Sequence, residues 1–111
     1  GNKLDCKMIL YNVTVSIDPA VEAEWLEWMR TTHIPDVMAT ACFIESRICR
    51  VHGEEEGGVT FAIGYVAPSQ EKYDEYVTIH SEALQEEHGT KFNGKFAAFR
   101  TLLTVLEEFK K

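Results

Sequence analysis

Hydrophobic and polar positions alternate along residues 8–17, and a period of two is typical of a strand that buries one face. The same alternation predicts three further strands, over residues 43–52, 59–67 and 96–106. The apolar side of the first strand carries Ile9, Tyr11, Val13, Val15 and Ile17, and that of the third carries Val59, Phe61, Ile63 and Tyr65. A sheet of four strands is therefore expected.

Two of the intervening segments have apolar residues at steps of three and four, which predicts amphipathic helices. The first begins at Asp18-Pro19 and should end near His33, because Pro35 disfavours the α conformation at Ile34; a further turn over residues 36–40 is allowed after the break. Its predicted buried side is Val21, Trp25, Trp28, Met29 and Thr32. The second helix is capped by Ser69 and ends at Gly89, with a predicted buried stripe of Tyr73, Tyr76, Val77, His80, Ala83, Leu84 and Glu87.

The remaining segments contain turn-forming residues. Residues 53–58, GEEEGG, predict a hairpin tip, and Asn93-Gly94 predicts a turn before the last strand. The element order is β-α-β-β-α-β, which defines an α+β, ferredoxin-like fold with both helices on one face of an antiparallel sheet. A chain of 111 residues suits one such domain, over residues 8–111, preceded by an N-terminal extension over residues 1–7.

Two helices cover only one side of this sheet, and the other side is predicted to be apolar as well. The last strand carries Phe99, Leu103 and Val105 on one face and Phe96, Leu102 and Leu106 on the other, while Met8 and Leu10 add to the second side of the first strand. An exposed surface of this kind would exceed the few hundred Å² that soluble monomers usually leave open. We therefore expect a homodimer that packs sheet against sheet; the alternative is a monomer with a partly apolar sheet.

Charge and cysteine content narrow the range of partners and compartments. The net charge of −7 and the absence of a basic patch argue against binding to nucleic acid or anionic membranes. No apolar run approaches the roughly 20 residues of a membrane span, and the first residues lack a secretory signal pattern, so a cytoplasmic location is expected. The three cysteines are Cys6, Cys42 and Cys49, and no two of them form a C-x-x-C pair. This spacing argues against a disulfide framework and against a structural zinc site, so reduced thiols are expected.

Two histidines are the candidate acid or base residues, since imidazole exchanges protons near neutral pH. His33 lies at the predicted helix end and either points into the space between helix and sheet or binds carbonyls left unpaired there. His80 lies within the apolar stripe of the second helix and is either a pocket base or a satisfied core residue. A pair formed by His33 and His80 around one cavity would be more significant than either alone.

Metal and cofactor sites are not indicated by spacing. His80 and His88 are eight residues apart, which is not the one-turn spacing that brings two imidazoles to one ion. Glu54, Glu55 and Glu56 are interpreted as a solvated hairpin tip, and nothing selects for a haem ligand. We therefore predict no metal and no cofactor.

Aromatic side chains could line a slot for a flat apolar ligand. Tyr65, Tyr73 and Tyr76 are the candidates, whereas Trp25 and Trp28 follow the buried period of the first helix and are assigned to the core. Arg100 is the fourth candidate for ligand binding. Because its strand is apolar on both faces, its guanidinium needs an acceptor, either a carboxylate in the sheet or across a dimer, or an anionic ligand.

The segments MILYNVTVSID, WLEWM, HIPDV, GGVT and FRT together resemble an uncharacterised bacterial family known only as a domain of unknown function. The resemblance extends from Met8 to the C terminus, and it implies the dimeric α+β barrel architecture. The wider superfamily is similar to cofactor-free monooxygenases, lactone isomerases and haem enzymes, and it also includes binding proteins. The resemblance therefore implies a fold and no particular reaction.

Three functions remain open. The first is a homodimeric module that binds a small apolar or aromatic molecule between helices and sheet. The second is a cofactor-independent monooxygenase or isomerase that uses His33 or His80 as a proton shuttle. The third is a structural or interaction protein without a ligand. The sequence lacks G-x-G-x-x-G, P-loop, G-x-S-x-G and H-E-x-x-H motifs, which argues against the common nucleotide, hydrolase and zinc-protease mechanisms.

Overall fold

The structure is a computed structural model that describes residues 7–53 and 57–111. Its strands are β1 (Ile9–Ile17), β2 (Glu45–Arg50), β3 (Val59–Ala67) and β4 (Phe96–Thr104), and its α-helical segments are α1 (Glu22–Trp28), α2 (Ile34–Ala39), α3 (Gln70–Glu75) and α4 (Ser81–Lys91). The predicted acidic tip at Glu54, Glu55 and Glu56, and most of the predicted extension, lie outside the described residues. No helix in the described ranges is long and apolar enough to cross a bilayer.

The four strands form one antiparallel sheet in the order β2-β3-β1-β4, as the ferredoxin-like prediction requires. Val13 of β1 lies opposite Ile63 of β3 on one side and Arg100 of β4 on the other. Odd-numbered residues of β1 and β3 therefore face the helices, and even-numbered residues face away. The predicted β3 bounds are confirmed, whereas β2 is shorter than the predicted 43–52.

The helical segments form two continuous stretches, α1–α2 and α3–α4, which are called the first and second helical layers below. Each contains a π-helical turn, which the sequence patterns did not predict. Met29–His33 joins α1 to α2, and Tyr76–His80 joins α3 to α4. In the first turn the Ile34 N–H donates to the Met29 carbonyl, one residue beyond the usual α-helical spacing. Each turn ends at a histidine, so an extra residue in the helical path determines where that side chain points.

The expected helix end before Pro35 is wrong, because the helical path continues through the π turn into α2. Pro35 lies in the first turn of α2, where a missing backbone N–H is tolerated. The start of the first helical layer is as predicted: Pro19–Val21 forms one 3-10 turn, and the Asp18 carboxylate accepts from the Ala20 N–H at 2.9 Å. Ser69 likewise caps α3 by accepting from the Lys72 N–H at 3.1 Å.

The predicted buried stripe of the second helical layer is correct at some positions and wrong at others. Beyond the π turn, Leu84 packs against the core as predicted, whereas Ala83 is exposed. Tyr76 is buried and Tyr73 packs against the core, but Val77 is 47% exposed and Glu87 is exposed. The added residue rotates the inward face, so the buried positions beyond the turn follow four-residue steps ending at His88 and Phe92.

The core lies between the helices and the two central strands. Trp25 is fully buried and packs on Phe61 with ring centroids 5.0 Å apart, which confirms its assignment to the core. Trp28 is partly buried against the same cluster. The largest fully buried side chains are Ile9, Val15, Ile17, Trp25, Val37, Cys42 and Ile63.

The two faces of the sheet are covered differently from the prediction. On the helix-facing side of β4, Leu102 remains 48% exposed, so the helices do not shelter this edge strand. The outer side is apolar at Leu10 and Leu103, which lie opposite one another, but Asn12 and Thr14 make its middle polar. The outer side is therefore apolar only in part.

A matched pair of glycine substitutions tests the helix boundary that the structure gives. Gly89 lies inside α4 and is not the predicted C-cap, and a methyl added there meets nothing within 4 Å. Gly94 is equally open but has a φ of +75°. We expect Gly89→Ala to raise the free energy of unfolding by about 0.5–1 kcal/mol, because alanine is the better helix former. Gly94→Ala should lower it by about 1 kcal/mol. Urea unfolding followed by circular dichroism measures both, and changes of the same sign would contradict the assignment.

Candidate functional site

A cavity of about 60 Å³ lies between the helices and the sheet, beside β4. Apolar walls come from β1, β3, β4 and the first π turn, and polar groups from both helical layers converge on the same space. The lining residues are Tyr11, Val13, Met29, His33, Ile63, Tyr65, Tyr76, Gln85, His88, Phe96, Ala98 and Arg100. Ala98 and Arg100 are exposed, so the cavity meets solvent at the uncovered β4 edge.

His88 is held in place by a buried tryptophan. The Trp25 Nε1–H donates to His88 Nε2 at 2.9 Å, a bond that joins α1 to α4. Because Nε2 accepts this bond, the neutral imidazole carries its proton on Nδ1. The Phe96 ring packs edge-on against His88 with centroids 4.4 Å apart. The imidazole is therefore fixed in tautomer and orientation.

His33 lies across from His88, with ring centroids 5.6 Å apart. Trp28 stacks on His33 at 5.1 Å. His33 Nδ1 is buried and has no hydrogen-bond partner among the described residues. The expectation that this nitrogen binds carbonyls freed at a helix break is thus incorrect, since the helix does not break there. A buried polar atom without a partner costs free energy, so it marks a place where a ligand can contribute a bond.

Both imidazoles are electrically neutral near pH 7. Burial lowers the pKa of His33 to about 4. Burial, followed by the nearby His33 and Arg100, lowers the pKa of His88 to about 4. Desolvation dominates in both cases because the charged form loses more hydration than the neutral form.

Tyr11 is the centre of an aromatic cluster at one end of the cavity. Its ring lies 5.8 Å from Tyr65, 5.4 Å from Tyr73 and 5.9 Å from Tyr76, measured between centroids. Burial raises the pKa of Tyr65 and of Tyr76 above the ordinary value, so both hydroxyls stay protonated and can donate. Arg100 Nε donates to the Tyr11 hydroxyl at 3.0 Å.

The structure distributes the predicted site residues between two places. His33, Tyr65, Tyr76 and Arg100 line the cavity, and Tyr73 contacts it indirectly through Tyr11. His80 does not line the cavity; it lies beside Cys42 and Glu75. His33 and His80, whose pairing the sequence left open, do not line the same cavity; His33 shares it with His88.

His88 and Tyr11 are among the cavity residues that the sequence did not identify as site candidates. A four-residue spacing from His80 through Leu84 to His88 was visible in the sequence, but the predicted stripe ended at Glu87 because the π turn was not recognised. Tyr11 was assigned only to the buried face of β1. For Arg100, the expected carboxylate within the sheet is absent among the described residues, where its acceptor is Tyr11.

The chain belongs to a family described as a domain of unknown function, DUF4286, whose model matches residues 8–106. The resemblance noted from the sequence is thereby confirmed. No curated protein matches the chain in sequence. The family assignment supplies a fold class and leaves the activity open.

Solved structures with the same fold include proteins that form dimers and one oxygenase. A dimeric ferredoxin-like protein from an uncultured marine organism has a TM-score of 0.74 at 7% identity, over 93% of this chain and 99% of the other. A dimeric ferredoxin-like protein of unknown function from Thermobifida fusca has a TM-score of 0.64 at 11% identity, over 95% and 97%. SnoaB, a cofactor-independent oxygenase from Streptomyces nogalater, has a TM-score of 0.63 at 9% identity, over 95% and 99%. At these identities the likeness establishes the fold alone.

Because His33 and His88 are neutral in the folded protein, we expect its free energy of unfolding to fall in mild acid. Each has a folded-state pKa of about 4, below the ordinary 6.5, so the unfolded chain binds protons first as the pH falls. The free energy of unfolding should decrease by about 1–2 kcal/mol per histidine between about pH 7 and pH 5, and the decrease should level off below pH 4. Urea unfolding at several pH values measures this.

The matched variants are His33→Gln, which removes one titrating group, and His52→Gln at an exposed position. His33→Gln should reduce the pH dependence by roughly half, and His52→Gln should leave it unchanged. An unaltered slope in His33→Gln would show that His33 is not held neutral by burial.

Proposed function

We propose that this protein binds a small apolar or aromatic molecule in the cavity between helices and sheet. The observation that carries the proposal is the buried His33 Nδ1, which has no partner among the described residues and belongs to a side chain that lines that cavity. A hydroxyl on the ligand would satisfy this nitrogen. Apolar side chains such as Val13, Met29 and Ile63 would contact the rest of the molecule.

The volume and shape of the cavity limit what it accepts. At about 60 Å³ the cavity is smaller than the roughly 150 Å³ cavity that holds benzene in an engineered protein. An aromatic ring would therefore extend toward the open β4 edge or move a wall side chain. Arg100 lies at that edge and offers a cation to an anionic substituent. A single ring with a hydroxyl fits these constraints best.

A phenol titration tests the proposal through the fluorescence of Trp25 and Trp28, since both indoles contact the histidines of the cavity. Phenol should bind wild-type protein more tightly than toluene, which has no hydrogen-bonding group. His33→Phe should weaken phenol binding about five- to tenfold, the cost of one lost hydrogen bond, and should not weaken toluene binding.

His80→Phe is the matched control, because His80 does not line the cavity. Its phenol affinity should equal that of the wild type. An equal loss in both variants would remove His33 from the binding site. Failure of both phenol and toluene to bind the wild type would favour a structural protein without a ligand.

A second candidate function is proton abstraction from the bound molecule, as in a cofactor-independent oxygenase or isomerase. A neutral imidazole at a cavity wall and the fold shared with the oxygenase SnoaB support it. Binding is favoured over catalysis because a base with a pKa of about 4 accepts protons weakly near pH 7. Oxygen uptake with a hydroxylated ring, lost in His33→Phe while binding persists in part, would favour the enzyme.

We infer that the functional unit is a homodimer formed through the outer side of the sheet. The dimeric neighbours share the fold, and Leu103 and Phe99 on this side are 47% and 63% exposed. In the segment after β4, Leu106 and Phe109 are 74% and 86% exposed. Covering these side chains in a dimer would remove apolar area from water.

Light scattering coupled to gel filtration tests the dimer. The wild type should have twice the mass of one chain at micromolar concentration, and Leu103→Asp should shift it toward a monomer because a carboxylate would be buried in the interface. Ile79→Asp, at a helix position that is 66% exposed, is the control and should stay dimeric. A wild-type monomer would exclude the sheet-to-sheet dimer.

We infer a cytoplasmic location and no nucleic-acid or membrane partner. The free thiols of Cys42 and Cys49 are compatible with a reducing, cytoplasmic environment. The acidic net charge of −7 supports the absence of nucleic-acid and membrane partners.

A further inference from the structure

A second cluster of reactive side chains lies outside the cavity and is not needed for ligand binding there. Cys42, Glu75 and His80 place one sulfur, one carboxylate oxygen and one imidazole nitrogen within 4.8 Å of one another. The Cys42 Sγ–H donates to Glu75 Oε2 at 3.2 Å. Cys42 is buried, whereas Glu75 and His80 are half-buried.

A residue in the left-handed backbone conformation, Ala41, directs the Cys42 side chain into this cluster. Ala41 has a φ of +64°, a conformation that costs a non-glycine residue roughly 1 kcal/mol or more. Thr40 holds the turn on both sides, because its hydroxyl donates to the Val37 carbonyl at 2.7 Å and accepts from the Cys42 N–H at 3.3 Å. The strained turn points the thiol toward α3.

The second π turn brings the other two groups together. Glu75 is the last residue of α3, and His80 ends the turn Tyr76–His80. In a continuous α-helix, residues five apart point about 140° away from one another. The π turn, in which the Ser81 N–H donates to the Tyr76 carbonyl, winds the chain less tightly and sets His80 above Glu75.

We propose that Cys42, Glu75 and His80 bind one divalent transition-metal ion of the Zn²⁺ type. Thiolate, imidazole and carboxylate are the ligands that Zn²⁺ takes in proteins, and three protein ligands with one solvent position are typical of a reactive rather than a structural zinc site. On binding, the Cys42 S–H bond breaks, sulfur bonds to the ion, and the proton passes to solvent.

The distances permit this coordination with small movements. Ligand atoms lie about 2.0–2.3 Å from Zn²⁺, which sets neighbouring ligands roughly 3–4 Å apart. The present separations, at most 4.8 Å, close to that range by rotation of the half-exposed Glu75 and His80 side chains. Lys72 Nζ contacts Glu75 Oε1 at 3.4 Å, whereas Oε2 accepts only from the Cys42 thiol among the described residues and becomes available to the ion when that proton is lost.

Such a site would join the two helical layers next to the aromatic cluster. Cys42 follows α2 and precedes Phe43, and Glu75 precedes Tyr76, whose ring lies 4.8 Å from that of Phe43. An ion bound here would tie the α2 end to the second π turn. The site does not share a residue with the cavity and is independent of the proposed ligand function.

Titration of the reduced protein with Co²⁺ tests the proposal, because cobalt bound by a thiolate has a charge-transfer band in the near ultraviolet. We expect saturation at one Co²⁺ per chain, and displacement by one equivalent of Zn²⁺. The double variant Cys6→Ser, Cys49→Ser, which leaves Cys42 as its single thiol, should keep the band.

Cys42→Ser should remove the band, while His80→Gln and Glu75→Gln should each weaken Co²⁺ binding at least tenfold. His52→Gln is the matched histidine control and should bind as the wild type does. If Cys42→Ser fails to fold, His80→Gln and Glu75→Gln still test the proposal, because both side chains are half-exposed. Absence of the band in the wild type, or its persistence in His80→Gln and Glu75→Gln with unchanged affinity, would overturn the proposal and leave a simple hydrogen bond between Cys42 and Glu75.

Discussion

The hydrogen bond from Trp25 to His88 is the interaction on which the site depends. It is buried between α1 and α4, where an indole N–H without an acceptor would carry a desolvation cost. His88 supplies that acceptor only while its Nε2 is unprotonated, so the packing of the core also fixes the charge and tautomer of the imidazole. His33, whose ring centroid lies 5.6 Å from that of His88, is held neutral by burial. The chemistry of the cavity therefore follows from core packing.

The two π turns explain how one fold produces two separate polar clusters. Each adds a residue to its helical layer and ends at a histidine, which is turned away from the direction that an α-helical period would give it. The first turn places His33 in the lining of the cavity, and the second places His80 beside Cys42 and Glu75. Such turns are frequent at functional sites because they place a side chain where regular helix could not.

The helices bury most of the helix-facing side chains of β1 and β3, and they leave β4 exposed on both faces beyond Phe96. This asymmetry gives the cavity its opening, since Ala98 and Arg100 meet solvent there, and it leaves Leu102 and Phe99 exposed on opposite sides of one strand. A second chain on the outer side of the sheet would cover Phe99, while the opening on the helix-facing side would remain for a ligand. The proposed assembly and the proposed binding would thus use different faces of the same edge strand.

The sequence alone determined the strands, the helix starts and the ferredoxin-like order, because alternation, capping residues and turn signals are local and act within a few residues. It also identified His33, Tyr65, Tyr76 and Arg100 as site candidates. Only the tertiary structure decided that His88 faces His33, that Pro35 lies inside a helical path, and that His80 joins Cys42. Those outcomes depend on one extra residue in each π turn and on contacts between residues such as Trp25 and His88, 63 positions apart, which no local pattern encodes.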